Sequence, residues 1–294
     1  MAFVIFLLAY LLRRRLDNLA HQDHDGLWRR LFRSGRTTTP GEESRVWPGL
    51  LLVGLPALLL VLGDHLLTAA HWRILGYPIE FVLLVVLMGV PGWRQHLEAY
   101  TMAWGRGDMQ GAWHHIRDSL PERHRADAVT PEAMHLLLSR QFLAAVFERY
   151  FLVAFWYVVG GIGFALMARG IIALRDHWPQ VAARKRFERW SELVSWLPSR
   201  VLSCTFGLAG DLSGWLRSGR STLLSVISTE QTLIVGANSA LTGYALDPAR
   251  FAELHPDECS RFADRSVIAV RDLLNRSMLI WICAIALLVI AGIL

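Results

Sequence analysis

Residues 151–174 read FLVAFWYVVGGIGFALMARGIIAL, and Arg169 is the only charged residue among them. A helix needs about 20 apolar residues to cross the hydrocarbon layer of a bilayer, which is roughly 30 Å thick. The stretch is long enough for one crossing. We therefore predict a transmembrane helix here and, with Tyr150 included, assign it to residues 150–174.

Three glycines, Gly160, Gly161 and Gly163, lie in the middle of this predicted helix. Small residues let the backbone of a second helix approach closely, and glycine also lets a membrane helix break. Both interpretations remain open at the level of sequence. In the first, the glycines form a helix-packing face for another membrane protein or for a second copy of this chain.

Other apolar stretches lie on both sides of this one. Across the chain 53% of residues are hydrophobic and 19% are charged, whereas a soluble domain is about 25% charged. We predict further crossings at Trp47–Ala70, Gly76–Trp93 and Ser277–Leu294. The apolar segment Ala2–Leu12 precedes three arginines, the reverse of the order in a secretory signal, so we expect an uncleaved N-terminal helix.

These stretches predict an all-α integral membrane protein with about four transmembrane helices, short re-entrant or interfacial helices and a helical cytoplasmic block. The predicted parts are an N-terminal membrane-associated helix with a basic cytoplasmic segment (1–46), a transmembrane hairpin (47–93), a cytoplasmic helical block (94–149), the Gly-containing transmembrane helix (150–174), an amphipathic or re-entrant region (175–246), a polar helical segment (247–276) and a C-terminal transmembrane helix (277–294).

Residues 175–200 conflict with simple alternation of the crossings. They contain six basic and three acidic residues, and an excess of basic residues is typical of cytoplasmic segments. Alternation places them on the opposite side. Either the Gly-containing helix is re-entrant, or this amphipathic segment lies on the far surface, with Val201–Leu216 and Leu223–Leu246 as candidates for the return crossing.

The remaining patterns exclude several classes of function. The net charge of +5 comes from basic residues beside apolar stretches, so we expect the lipid bilayer, and no nucleic acid, as a partner. Phosphate-loop, HExxH and GxSxG motifs are absent from the sequence. His21 and His24 fit a polar loop as well as a metal site, and the adjacent His114 and His115 diverge on a helix. We predict no metal site.

Several short motifs recur in the order found in a known family. They are Trp93-Arg94-Gln95-His96-Leu97, Gly107-Asp108, Phe155-Trp156 with Gly160-Gly161, and Trp196-Leu197-Pro198-Ser199-Arg200. With the N-terminal helix and the hydrophobic C-terminus, this chain resembles the AmpE family. Those membrane proteins are encoded beside an anhydro-muramoyl-peptide amidase and are linked to the control of inducible β-lactamase.

AmpE is in turn similar to the CobD/CbiB family, ATP-dependent membrane enzymes of cobalamin synthesis. Relative to that pattern, Arg140, Ala144 and Ala145 replace Glu, Glu and Asn, and Glu148 replaces an Asp. Ser191-Glu192 replaces an Asp-Asp pair, and Arg175-Asp176 stands near a Leu-Asp-Ser element. Because Mg²⁺-ATP needs oxygen ligands, the loss of these acids argues against synthase activity.

The leading hypothesis is a non-enzymatic protein of the bacterial inner (cytoplasmic) membrane. The resemblance implies a sensor or accessory factor in cell-wall recycling and β-lactamase induction, which binds a small anionic metabolite. The alternatives are a divergent ATP-dependent cobinamide-phosphate synthase-type ligase and a structural subunit of a membrane complex. Cofactors remain unassigned, and so do catalytic residues. The candidate ligand-binding residues are Glu148, Arg149, Asp176, Glu192 and Arg200.

Overall fold

The computed structural model describes residues 1–19, 25–35, 45–89, 93–117, 120, 125, 130–223, 225, 227–242 and 245–292, which form helices and connecting turns without a strand. The helices are α1 (Ala2–Leu19), α2 (Asp25–Phe32), α3 (Trp47–Ala69), α4 (Tyr77–Leu87), α5 (Trp93–Gly105), α6 (Met109–Arg117), α7 (Pro131–Val146), α8 (Leu152–His177), α9 (Val181–Ala209), α10 (Leu212–Ser218), α11 (Thr229–Ala240), α12 (Pro248–Leu254) and α13 (Phe262–Ile290). The predicted all-helical class is confirmed for these residues.

The chain divides into two compact units. Unit 1 comprises Met1–Pro91, Val146–Pro198 and Ala284–Leu294. Unit 2 comprises Gly92–Ala145 and Ser199–Cys283. Each unit therefore draws on segments that are far apart in the sequence.

Three described helical segments are long and apolar enough to cross a membrane: Trp47–Ala69, Pro131–His177 and Phe262–Ile290. In α3 only 11% of the apolar window is buried. An apolar helix that exposes most of its side chains to its surroundings is typical of a membrane span. Leu51, Leu55, Leu58, Leu59, Leu62 and Leu66 form the exposed face of α3.

The fourth predicted crossing, Gly76–Trp93, is represented by α4, which has 11 residues. A helix of that length spans about 16 Å, roughly half of the hydrocarbon layer. The backbone leaves the helix at Met88 and turns through positive φ at Gly89. The crossing by this segment therefore stays a prediction.

The core of unit 1 gathers around Trp178. Its indole packs edge-on against Phe32 of α2 and against Phe187 of α9. Val53 of α3 and Leu174 of α8 complete the same buried cluster. The cluster therefore joins helices from the first 70 residues to the segment that follows α8.

Helices α3 and α8 approach each other through glycine. A Cβ atom on Gly163 would lie 2.5 Å from Val61 Cγ2 and 2.7 Å from the carbonyl oxygen of Ala57. A Cβ atom on Gly170 would overlap Val53 Cγ1. Because Val53, Ala57 and Val61 recur every four residues, one stripe of α3 lies against the glycines, as in close helix pairs of membrane proteins.

The described part of residues 175–246 contains the end of α8, all of α9 and the shorter helices α10 and α11. The exposed apolar residues Trp190, Leu193 and Leu197 lie on one side of α9, a helix that also carries Arg184, Lys185 and Arg186. An apolar stripe on a basic helix is typical of an interfacial helix. α10 and α11 have 7 and 12 residues, which is shorter than a crossing requires.

Unit 2 contains a buried polar chain. The side chains of Tyr100 on α5, His135 on α7 and Ser266 on α13 are almost fully buried. His135 Nδ1 lies 3.0 Å from the Tyr100 hydroxyl, and His135 Nε2 lies 2.8 Å from Ser266 Oγ. Burial raises the pKa of Tyr100 well above its ordinary value, so the phenol stays protonated. A neutral imidazole donates through one ring nitrogen and accepts through the other, so His135 can bridge the two hydroxyl groups.

Candidate functional site

Glu148 and Arg149 lie in a short π-helical turn, Phe147–Phe151, which follows α7 and precedes α8. Such turns are rare and occur frequently at functional sites, because the extra residue redirects the side chains around it. The apolar pattern of this segment does not reveal the turn. Two of the predicted ligand-binding residues therefore share a backbone feature that the sequence reasoning missed.

Glu148 pairs with Arg175 rather than with its neighbour Arg149. Arg175 Nη1 and Nη2 donate to the two carboxylate oxygens of Glu148 at 2.8 and 3.1 Å. The same guanidinium donates to Asp176 at 2.8 and 3.2 Å. Bidentate pairs between arginine and carboxylate are the strongest of the charge-assisted hydrogen bonds. One arginine thus holds two of the three predicted acids, Glu148 and Asp176.

This ion pair requires α8 to reverse its direction. Glu148 and Arg175 are 27 residues apart, so a continuous straight helix would separate them by about 40 Å. The backbone of α8 leaves helical geometry at Gly161, with φ 75° and ψ −169°, a conformation that favours glycine. Gly161 lies midway between the two charged residues. The chain therefore folds back there into a first arm, residues 152–160, and a second arm, residues 162–177.

A small apolar crevice supports the same reversal. Its lining includes Arg149 from the π-helical turn and Arg169 from the second arm, together with Val53 and Pro56 of α3. The second arm runs antiparallel to α3, since Gly170 meets Val53 whereas Gly163 meets Val61. The glycines thus have separate roles. Gly161 supplies the turn and Gly163 supplies the close packing, while Gly160 lies against the ring of Phe164 in the second arm.

Arg149 donates to the carbonyl oxygen of Gly89 at 3.2 Å. Gly89 has a φ of 116°, and a Cβ atom there would overlap the guanidinium of Arg13. Arg13 also pairs with Asp17 at 2.8 Å. Both arginines therefore fasten the end of α4 to its neighbours in unit 1.

Glu192 and Arg200 do not join this cluster in the structure. Glu192 lies half-buried on α9 within unit 1. Arg200 belongs to unit 2 and is 5% exposed. Its Nε donates to the carbonyl of Leu223 at 2.9 Å, and its Nη2 donates to that of Ser225 at 2.8 Å. Arg200 thus anchors the connection that precedes α11.

Together these contacts define what the charged group of Glu148, Arg175 and Asp176 can do. The carboxylates of Glu148 and Asp176 accept from Arg175, so a cation or a ligand at this site would have to displace that guanidinium. Among the described residues no group of three metal-ligating side chains is found, and His21 and His24 lie outside the described residues. The geometry is that of an internal charge clamp, which fixes the second arm of α8 against the π-helical turn that precedes the first arm.

The chain was compared with family models, with curated proteins and with solved structures, and none of the three comparisons gives a match.

Proposed function

We propose that this chain is a multi-pass protein of the bacterial inner membrane that acts without catalysis, as a sensor or accessory factor of the AmpE type. In this role it binds a small anionic metabolite and influences β-lactamase induction through cell-wall recycling. The resemblance of the ordered motifs from Trp93 to Arg200 supplies the biological context. The three long apolar helices support a place in the membrane.

The observation that carries the non-catalytic part of the proposal is the Arg175 clamp. Relative to the CobD/CbiB pattern, Glu148 replaces an Asp, and Asp176 stands near the Leu-Asp-Ser element. Both carboxylates accept two hydrogen bonds from Arg175. Because Mg²⁺ bound to ATP takes carboxylate oxygens as ligands, a clamped pair is poorly suited to hold it.

Deletion of the gene in its native host tests the proposed role. We expect β-lactamase activity after exposure to a β-lactam to change at least threefold relative to the parent strain, and the intact gene supplied in trans to restore it. The measurement is hydrolysis of a chromogenic β-lactam by cell lysates. Equal induction in the two strains would remove the proposed role.

The synthase-type alternative differs in one measurable property, since it requires Mg²⁺-dependent hydrolysis of ATP by the purified chain. It also requires that Glu148→Ala abolishes this activity. Gene neighbourhood separates the two functions as well. An adjacent amidase gene favours the regulatory role, whereas a cobalamin cluster favours the ligase.

The proposal includes a topology in which α8 is re-entrant. The reversal at Gly161 favours entry and exit on one face of the bilayer. That arrangement keeps the basic residues 175–200 on the cytoplasmic side together with residues 94–149, as the excess of positive charge favours. The apolar stripe at Trp190, Leu193 and Leu197 then lies on the membrane surface.

Reporter fusions test this topology. We expect alkaline phosphatase fused after Asp176 to be inactive, and a fluorescent protein fused at the same position to fluoresce, because that position is cytoplasmic. A phosphatase fusion after Ala70, which follows the outward crossing of α3, is the matched control and is expected to be active. Phosphatase activity at Asp176 would show instead that α8 crosses the bilayer.

A further inference from the structure

Unit 2 contains a cavity of about 780 Å³ that is separate from the charge clamp. It is lined by one face of α7, by α10 and α11, and by the start of α12. Glu132, Leu136 and Arg140 reach it from α7 at a spacing of four residues, which places them on one side of that helix. The volume falls within the usual range for small-molecule sites, about 300–1,000 Å³.

Three arginines line this cavity: Arg140, Arg217 and Arg250. None of them forms an ion pair with another residue that the structure describes. Nε of Arg140 is buried and has no hydrogen-bond partner there. Leaving a buried N–H group without a hydrogen-bond partner is costly. An anionic group in the cavity would remove that cost.

The acids of the cavity define the rest of the ligand. The carboxylate of Asp247 accepts from the backbone N–H of Arg250 and caps α12. Glu132 and Asp211 also line the cavity and have no ion-pair partner among the described residues. These two acids suit an ammonium group on the ligand. With Asp247 included, three guanidiniums and three carboxylates line the cavity, so the complementary ligand carries groups of both charges.

We propose that this cavity binds a short acidic peptide with a free amino group, whose carboxylates are held by Arg140 and Arg217. Guanidinium groups match the planar geometry of carboxylates and bind them through paired hydrogen bonds. Glu132 and Asp211 receive the ammonium group. The proposal rests on the proposed function, since it assigns the site and the chemical class of the anionic metabolite.

Calorimetric titration of the full chain in detergent tests this site with three probes: the dipeptide Ala-Glu, N-acetyl-Ala-Glu and inorganic phosphate. We expect Ala-Glu to bind, and both Arg140→Gln and Arg217→Gln to weaken its binding at least tenfold. N-acetylation removes the ammonium group and should also weaken binding. Arg106→Gln is the matched control, because Arg106 is an exposed arginine of unit 2 outside the cavity. This variant should bind Ala-Glu as tightly as the unchanged protein does.

Three outcomes would overturn the site: no binding of Ala-Glu, equal binding by the Arg140→Gln and Arg217→Gln variants, or tighter binding of phosphate than of the dipeptide. Thermal unfolding of each variant shows whether it is folded, and Arg217, which is exposed, provides a second variant if Arg140→Gln does not fold. The experiments distinguish failure of the proposed role in β-lactamase induction from failure of the proposed binding site. Unaltered induction in the deletion strain removes the role and leaves the binding result standing.

Discussion

Gly163→Ala is expected to destabilise unit 1 by about 3 kcal/mol or more, because the added methyl group has no space between α3 and α8. Its Cβ would lie 2.7 Å from a backbone carbonyl oxygen, that of Ala57, as well as 2.5 Å from Val61. A side chain can rotate away from such an overlap, but a helix backbone must move as a whole. Thermal unfolding in detergent, followed by circular dichroism, measures the loss.

Gly54→Ala is the matched control for this substitution. Gly54 also lies within a long apolar helix, and a Cβ atom there would meet no other atom within 4 Å. Alanine is the better helix former, so the control should be unchanged or stabilised by up to about 1 kcal/mol. If the two variants unfold at the same temperature, α3 and α8 do not pack through Gly163.

His135→Ala is expected to destabilise unit 2 by about 3–5 kcal/mol. The substitution leaves a cavity at a fully buried position, and it leaves the Tyr100 hydroxyl and Ser266 without their shared partner. Truncation of a large buried ring destabilises a protein, and so does the loss of buried hydrogen bonds. His135→Ala combines the two effects. The measurement is the midpoint of chemical denaturation in detergent.

His114→Ala controls for the loss of an imidazole, because His114 is exposed on α6. The stability of this variant should remain close to that of the unchanged chain. His135→Gln provides a finer comparison, because its amide can replace part of the hydrogen bonding and should recover part of the loss. A His135→Ala variant as stable as the His114→Ala variant would contradict the role assigned to the buried chain.

The helical class and the main apolar segments could be predicted from the sequence alone. α3 is a run of leucines between Trp47 and Ala70, and such a run specifies a long apolar helix without help from any other part of the chain. Most of the C-terminal apolar stretch, residues 277–290, likewise lies in α13. Local composition decides these elements, so local reasoning is sufficient for them.

Helix length at the second apolar stretch depends on more than composition. Residues 76–93 are apolar enough for a crossing, but α4 ends at Leu87. Arg13 and Arg149 occupy the space around Gly89, and those contacts come from residues that are far away in the sequence. Hydropathy contains no information about such partners.

The candidate site could be predicted only in part. The sequence identified Glu148 and Asp176 as candidates, but it did not identify the residue that pairs with Glu148. The actual partner, Arg175, becomes close only because the chain reverses at Gly161. The three glycines indicated a break or a close contact, and both occur, at Gly161 and Gly163. Their assignment to separate positions required the structure.

In the proposed re-entrant topology, the reversal at Gly161 makes the protein sensitive to the thickness of the bilayer. α3 has 23 residues and is about 35 Å long, which is sufficient to reach both headgroup layers. In the re-entrant topology α8 turns back beside Val61, roughly 21 Å along α3. The acyl chains beyond the turn must then fill a depth that α3 traverses and α8 does not. Thinner bilayers reduce the energetic cost of that mismatch, and thicker bilayers increase it by fractions of a kcal/mol per Å. The length of the lipid acyl chains therefore sets the energetic cost of the re-entrant hairpin.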